Sequence, residues 1–434
     1  MKILMNGIFK KIIIYILRIE SQLVLAKYKP KVVTITGSMG KTSTKDAVFS
    51  VLSIFTHVRK SEKSYNSEIG LPLTVLGVPN GWNNPAVWIQ NFWKGLKLIL
   101  LPHQYPKWLV LEVGVGKPGD IRRTASWLKS DVVIVTAIGH TPPHIEFFSS
   151  RKHLIEEKSE LVDTLKPDGL LVLNADDEAV YEMRRKIKSR HIAFGFSPDA
   201  EIRASEENIS YGEDSVPRGI TFKIGENGNT LPVMIEGVFG RNHIYASLAA
   251  LAMASGLKFS ILGAIEALKR HDLPPGRMRL LAGIKGSFLI DDTYNSSPVA
   301  CELALKTLEE LKAKRKIAVL GDMLELGKHT MDAHKNIGYL ASERANILIV
   351  VGQRAQAIKE GALANNMDPQ KIFEFNNSAE AGEFLKTFIK KGDLALVKGS
   401  QSIRMERAVA AILLDQKNKK RLLVRQDDEW LNKA

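Results

Sequence analysis

Cysteine is almost missing from this sequence of 434 residues, where Cys301 stands alone. A single thiol excludes an internal disulfide framework and fits a reducing compartment. No apolar run reaches the length of a membrane span, and no cleavage pattern of a secretory leader follows the N-terminus. A cytoplasmic protein is therefore expected. Zinc-ligand spacing and an aromatic RNA-binding signature are also lacking, and the lysines are dispersed rather than massed, so nucleic acid is not expected as a partner. Internal repeats and low-complexity tracts are absent too.

What is present is apolar content of 45% in a chain longer than one compact core usually supports, which implies two or more globular domains. The formal charge of +14 attracts anions, whether nucleic acid, anionic lipid or a phosphorylated substrate. From residue 31 short β-branched runs alternate with helical stretches, as in "KVVTIT", "WLVLEVGV", "DVVIVTAI" and "GLLVLNADD". That pattern reads as α/β, a mainly parallel sheet flanked by helices. Residues 219–237 suggest a hairpin around "GENGN", followed by a helix in "IYASLAALAMASG". A second series, "FLIDDTYN", "KIAVLGDM", "ANILIVVG", "KIFEF" and "DLALVKGS", follows Pro274. The expected organisation is a short helical segment over 1–30, a central P-loop ATPase-like domain over 31–273, and a smaller Rossmann-like domain over 274–434 with a basic tail.

Between the first strand and the first helix of the central domain stands "TGSMGKT", a G-x-x-G-K-T loop shorter than the strict Walker pattern. Gly37 and Gly40 permit the tight turn that aims the amides of Ser38 and its neighbours at phosphate oxygens. Lys41 supplies charge, Thr42 a hydroxyl for Mg²⁺, and the helix running on through Ser43 its positive dipole end. The plainer alternative is an ordinary strand-to-helix turn with a solvated lysine.

Strand ends in a parallel sheet are where chemistry collects. Glu112 lies inside an otherwise apolar run, where an unpaired carboxylate is costly; a metal ion or basic partner would relieve it. "AIGHTPPHIEFF" offers His140, His144 and Glu146 directly after a strand, each either a hydrogen-bonded loop residue or part of an oxygen-rich Mg²⁺ shell. Lys158 shares a helical face with Leu154, Leu161 and Leu165. It either snorkels its amine to the surface or is held in a site that uses that amine.

Basic, partly amphipathic "NGIFKKIIIYILRIESQLVLAKYKP" reads as a packing element or an interfacial anchor. In "GWNNPAVWIQNFWKGLKLILLPHQYPKW", Trp88, Phe92, Trp93, Leu96 and Ile99 form an apolar helix face beside Lys94 and Lys97, for packing or for weak membrane-surface contact. The tail "KNKKRLLVR" reads as a solvated charge run or an anchor.

The ordered series "TGSMGKTSTK", "YNSEIGLPLT", "LEVGVGKPGDI", "HIEFFSS" with "EEKSELV", "GRNHIYASLAA", "PPGRMR", "DDTYNSSP", "VLGDMLELG" and "LVKGSQSIRMER" resembles the Mur ligase family, from about residue 31 to 410. "DDTYNSSP" and "GDMLELG" are similar to its branch that adds D-alanyl-D-alanine to a UDP-N-acetylmuramoyl-tripeptide. The resemblance implies an ATP-dependent ligase of peptidoglycan precursor synthesis, working through an acyl phosphate. Lys41 would contact the terminal phosphates, and Thr42, Glu112, His144 and a carbamate on Lys158 would hold Mg²⁺. Asn66, Ser67, Glu68 and Lys398 would face the substrates, which are the muramyl-peptide nucleotide and the dipeptide. Arg277, Asp291, Asp292, Tyr294 and Asn295 would contact the nucleotide. Asn242 and His243 would carry the adenine contact, the family's His-Asn pair standing here in reverse order. Arg279 stands where a glutamate is usual and Ser297 where an asparagine is. Only about thirty residues precede the loop, too few for the family's uridine-recognition domain. A different lipid-linked or folate-like carboxylate acceptor, or a non-catalytic nucleotide-binding regulator, are the alternative functions, and a monomer is the plainer expectation.

Overall fold

Apolar runs bounded by turn residues become strands, and they assemble into two sheets. The structure is a computed structural model that describes residues 7–62, 65–139, 147–213, 216–226, 228–269 and 273–431. The first sheet has nine strands, ordered β2 (Val58–Lys60), β3 (Trp108–Glu112), β1 (Lys31–Thr36), β4 (Ser130–Val135), β5 (Leu165–Asn174), β6 (Arg190–Gly195), β7 (Ile202–Tyr211), β8 (Pro217–Glu226) and β9 (Asn229–Glu236). Pairings from β2 through β7 are parallel. Residues Val32–Thr36 of β1 are buried throughout, because helices cover both faces of a parallel sheet; continuous apolar runs replace the alternation of a one-sided strand. β8 and β9 neighbour each other across the expected "GENGN" turn.

The order of the strands positions the site. From β1 the chain builds β2 and β3 on one side and β4 onward on the other, so the topological switch lies beside β1. A crevice outside the carboxyl ends of such strands is where ligands bind in open α/β sheets.

The second sheet runs β10 (Arg279–Ala282), β11 (Phe288–Asp292), β15 (Asp393–Lys398), β12 (Arg315–Gly321), β13 (Ile347–Val351), β14 (Ile372–Phe375). All its pairings are parallel except β10 with β11. By compactness the chain divides into one unit of Met1–Glu206, Phe222–Val233 and Asn242–Asp272, and a second of Glu207–Thr221, Met234–Arg241 and Leu273–Ala434.

The Gly7–Tyr28 helix packs Ile13, Leu17 and Val24 into the core of the first unit. It lies against the Pro85–Leu100 helix, which starts on an Asn84 cap with Pro85 in its first turn. Trp88 is buried in that core and Phe92 and Ile99 are half-buried, as the packing reading requires, while Trp93 and Leu96 stay exposed.

Glu20 faces Gly95 in this helix pair, and its Oε2 is buried with no hydrogen-bond partner among the described residues. Burial pushes its carboxyl up to about 7 from an ordinary 4.5. Because the folded value exceeds the unfolded one, stability is full below pH 4.5 and falls as pH rises through about 7. Glu20→Gln, which cannot ionise, should melt roughly 2 °C or more above the parent at pH 8 and level with it in the acid range. Thermal melts at the two pH values check this; an equal effect at both would contradict it.

Candidate active site

β1 delivers the chain to Gly37 (φ 143°) and Gly40 (φ 79°), both in the left-handed region that favours glycine. At Gly37 a side chain is also excluded by space, since a Cβ there would lie 2.0 Å from Thr136 Oγ1. The loop is locked from the end of β4: the amides of Ser38 and Met39 donate to the Ala137 carbonyl, and Thr136 Oγ1 donates to the Met39 carbonyl at 2.6 Å. Gly40 then caps the Lys41–Ser53 helix, in whose first turn Ser43 is buried. Among the described residues Ser38 Oγ is buried without a partner, an orphaned donor of the kind a phosphate oxygen would satisfy.

Thr42 Oγ1 donates to Glu112 Oε2 at 3.0 Å, and Asn66 Nδ2 donates to Glu112 Oε1 at 3.1 Å. Glu112 ends β3 with 2% of its surface exposed, so both its oxygens are held by neutral donors. Hydroxyl and carboxylate oxygens are the donor type Mg²⁺ prefers. Ser67 is exposed and accepts from the Gly70 amide, while Glu68 accepts from Arg123.

Lys158 decides against one of its two readings. It belongs to the Arg151–Ser159 helix, 4% exposed, and its amine donates to the Gly37 carbonyl at 2.9 Å. The surface-snorkelling reading is thereby overturned, because the helix turns this face to the phosphate loop. Lys41 Nζ donates to the same carbonyl, also at 2.9 Å. Burial first and the Lys41 charge second hold the Lys158 amine well below the ordinary lysine value, against a smaller opposing pull from Glu157. Glu157 itself is occupied, accepting from the amides of Gly119 and Ile121. Burial thus favours the neutral form of the Lys158 amine.

His144 lies outside the described residues, with His140 and Glu146. The residues leading to them are fixed by Asp177, whose Oδ2 accepts from the amides of Ile138 and Gly139. On the Arg241–Gly256 helix, His243 is buried and Asn242 half-exposed. Among the described residues no cluster of three histidine, cysteine or acidic side chains is placed to hold a metal ion.

The second unit gathers its own group. β11 and β15 set Asp292 opposite Lys398, and Lys398 Nζ bonds Asp292 Oδ2 at 2.6 Å and the Asn295 carbonyl at 2.9 Å. Asp291, wholly buried, accepts from the Gly276 amide and the Thr293 hydroxyl; burial still raises its carboxyl to about 6. The Arg277 guanidinium stacks 4.0 Å from the Tyr294 ring centroid. Arg279 opens β10, and Ser297 caps the Pro298–Glu310 helix. Lys398 is thus tied to the loop after β11. Arg425 pins the same loop, bonding the Thr293 and Tyr294 carbonyls while paired with Glu406. So the basic tail is solvated only as far as Arg421; Leu422, Leu423 and Arg425 turn inward.

Thr136, Asp177 and Arg425 escaped sequence reasoning. Thr136 carries a signal, being the first polar residue after an apolar strand; Asp177, behind Asn174 and Asp176, and Arg425, within its charge run, carry none.

A family model of the Mur ligase middle domain matches residues 35–254, and one of the Mur ligase glutamate ligase domain matches 276–401. The chain belongs to the Mur ligase family. This Mur ligase is 27% identical over 385 residues to the UDP-N-acetylmuramoyl-tripeptide--D-alanyl-D-alanine ligase of Bacillus subtilis (strain 168), covering 88% of this chain and 76% of that one. The enzyme of that name from Escherichia coli (strain K12) is 27% identical over 387 residues, with the same coverage. Among solved structures, MurF from Acinetobacter baumannii matches with a TM-score of 0.72 at 25% identity, covering 92% of this chain and 78% of that one. MurF ligase from Thermotoga maritima in complex with ADP shares the fold, with a TM-score of 0.73 at 24% identity and coverage of 94% and 84%.

Gly37→Ala should weaken ADP binding at least about tenfold, because the added methyl displaces Thr136 and the loop amides with it. Calorimetric titration with ADP checks this; unchanged affinity in a folded variant would contradict it.

Proposed function

We propose that this Mur ligase joins D-alanyl-D-alanine to a UDP-N-acetylmuramoyl-tripeptide in an ATP-dependent reaction. The convergence of Lys41 and Lys158 on the Gly37 carbonyl, with Thr42 and Glu112 paired at the neighbouring strand end, carries the reading. Relatives bearing that activity in their name span most of the chain.

A carboxylate is a poor electrophile, because hydroxide or oxide must leave. Transfer of the γ-phosphoryl group to a carboxylate oxygen of the tripeptide releases ADP and gives an acyl phosphate. The dipeptide amine then attacks the carbonyl carbon, loses its proton, and phosphate leaves. Little covalent work falls to the protein; its task is to align anions and offset their repulsion. Lys41 supplies a cation from the loop, while the loop amides and Ser38 Oγ cradle phosphate oxygens. Asn66, Ser67 and Glu68 form the substrate side, and Asn242 and His243 the adenine side. The nucleotide contacts of Arg277, Asp291, Asp292, Tyr294 and Asn295, and the substrate contact of Lys398, rest on the family resemblance.

Thr42, Glu112, His144 and Lys158 would hold Mg²⁺, whose charge offsets that of the phosphoryl oxygens when bound. An ammonium would repel that ion, but a neutral amine adds CO₂, releases a proton and becomes an anionic carbamate. The desolvated setting of Lys158 favours the neutral amine this addition requires.

Incubation with ATP, Mg²⁺ and a panel of acids and amines, read by mass spectrometry, tests the proposal. Amide product and phosphate release should require both the muramyl tripeptide nucleotide and D-alanyl-D-alanine; release that ignores either would refute it. Lys158→Ala should lose at least about a hundredfold in kcat, a loss of roughly 3 kcal/mol in transition-state stabilisation, and recover partly with added short carboxylates. Full activity of that variant would remove the carbamate from the account.

A further inference from the structure

We propose that the Gly7–Tyr28 and Pro85–Leu100 helices together form a docking face for an anionic lipid surface. The Gly7–Tyr28 helix leaves Phe9, Ile12, Tyr15, Ile19 and Leu23 exposed, the tyrosine at 66%. At three- and four-residue spacing these form one stripe, distinct from the stripe of Ile13, Leu17 and Val24 buried in the core. The Pro85–Leu100 helix likewise exposes Ile89, Trp93, Leu96 and Leu100.

The two stripes face the same way. Glu20 meets Gly95, and Lys27 Nζ reaches the carbonyls of Leu98, Ile99 and Leu101, so the helices run parallel. Going round each helix at ~100° per residue, the exposed stripe lies roughly 70° before the shared contact on the first and roughly 110° after it on the second. Between parallel neighbours those opposite senses point to one side. Exposed Trp82 and Leu101 flank the second helix at either end. A contiguous exposed apolar face of this kind marks an interaction site rather than ordinary surface.

Charge selects the occupant. Lys10, Lys11, Lys94 and Lys97 are exposed on the two helices. Glu20 is the sole carboxylate of the pair, and it is buried. Between Glu68 and Glu112 the sequence contains no acidic residue at all. Apolar and aromatic stripes on helices whose exposed charges are all positive suit the boundary between acyl chains and anionic headgroups, where tryptophan and tyrosine rings are favoured. A second copy of the chain would bring lysines against lysines across a two-fold contact, which disfavours self-association. Among the described residues no helix is long and apolar enough to cross a membrane, so the face rests on the surface rather than spanning it. This inference is independent of the ligase reading.

Flotation of the full chain with vesicles tests it, using phosphatidylglycerol mixed with phosphatidylcholine, and phosphatidylcholine alone. The protein should float with the mixed vesicles, less so as salt rises, and not with the neutral ones. Combined Ile89→Ser, Trp93→Ser and Leu96→Ser should abolish flotation while ADP binding persists. As a second variant set, Lys94→Gln and Lys97→Gln should each lower the partition coefficient roughly fivefold. Failure to float with anionic vesicles, flotation unaffected by either variant set, or a dimer in sedimentation equilibrium that the serine substitutions dissolve would overturn the proposal; the last would assign the face to a second copy.

Discussion

Two lysine amines on one carbonyl oxygen set the terms for the first unit. Lys41 and Lys158 each donate to Gly37, so their nitrogens are at most about 6 Å apart, and two ammonium charges there would repel by roughly 3 kcal/mol at an effective dielectric near 20. Burial adds to that cost for Lys158, which is enclosed, more than for Lys41, which is partly exposed. Loss of a proton is therefore favoured at Lys158. One side chain reaches the loop carbonyl from a partly exposed position, the other from an enclosed one that disfavours its charged form.

That asymmetry depends on backbone geometry. The Gly37 carbonyl is available to both amines only because the loop turns at a positive φ with no Cβ, and because Thr136 and the Ala137 carbonyl hold it from the end of β4. The strand order places β1, β3 and β4 side by side, which brings the loop, Glu112 and Thr136 to one edge of the sheet. In the second unit the same logic recurs with other residues: β11 and β15 align Asp292 with Lys398, and Arg425 ties down the loop that follows.

Much of this was legible beforehand where the information is local. The G-x-x-G-K-T loop, the strand before it and the helix after it are neighbours in sequence, and glycine and lysine have few other reasons to stand there. Lys158 was visible as a misplaced cation, but its periodicity fitted a surface role equally well; only the packing of its helix against Gly37, far off in sequence, decides. Thr136 stands out only as a polar residue after an apolar strand, and its partners, like those of Arg425, are distant in the chain, so no window reveals what either residue holds. The tail read as solvated because charge runs usually are, yet Leu422, Leu423 and Arg425 are buried against the second unit's own elements. Short β2, β6 with its polar start at Arg190 and His191, and the antiparallel β10 lack the apolar runs that announced the other strands.

The central claim is that Lys158 is an uncharged amine able to take up CO₂. Carbon NMR of the protein equilibrated with ¹³C-labelled bicarbonate measures this directly. The account predicts one lysine carbamate resonance at neutral pH, absent from Lys158→Arg and retained in Lys41→Met. No such resonance in the parent protein, or one that persists in Lys158→Arg, would contradict it.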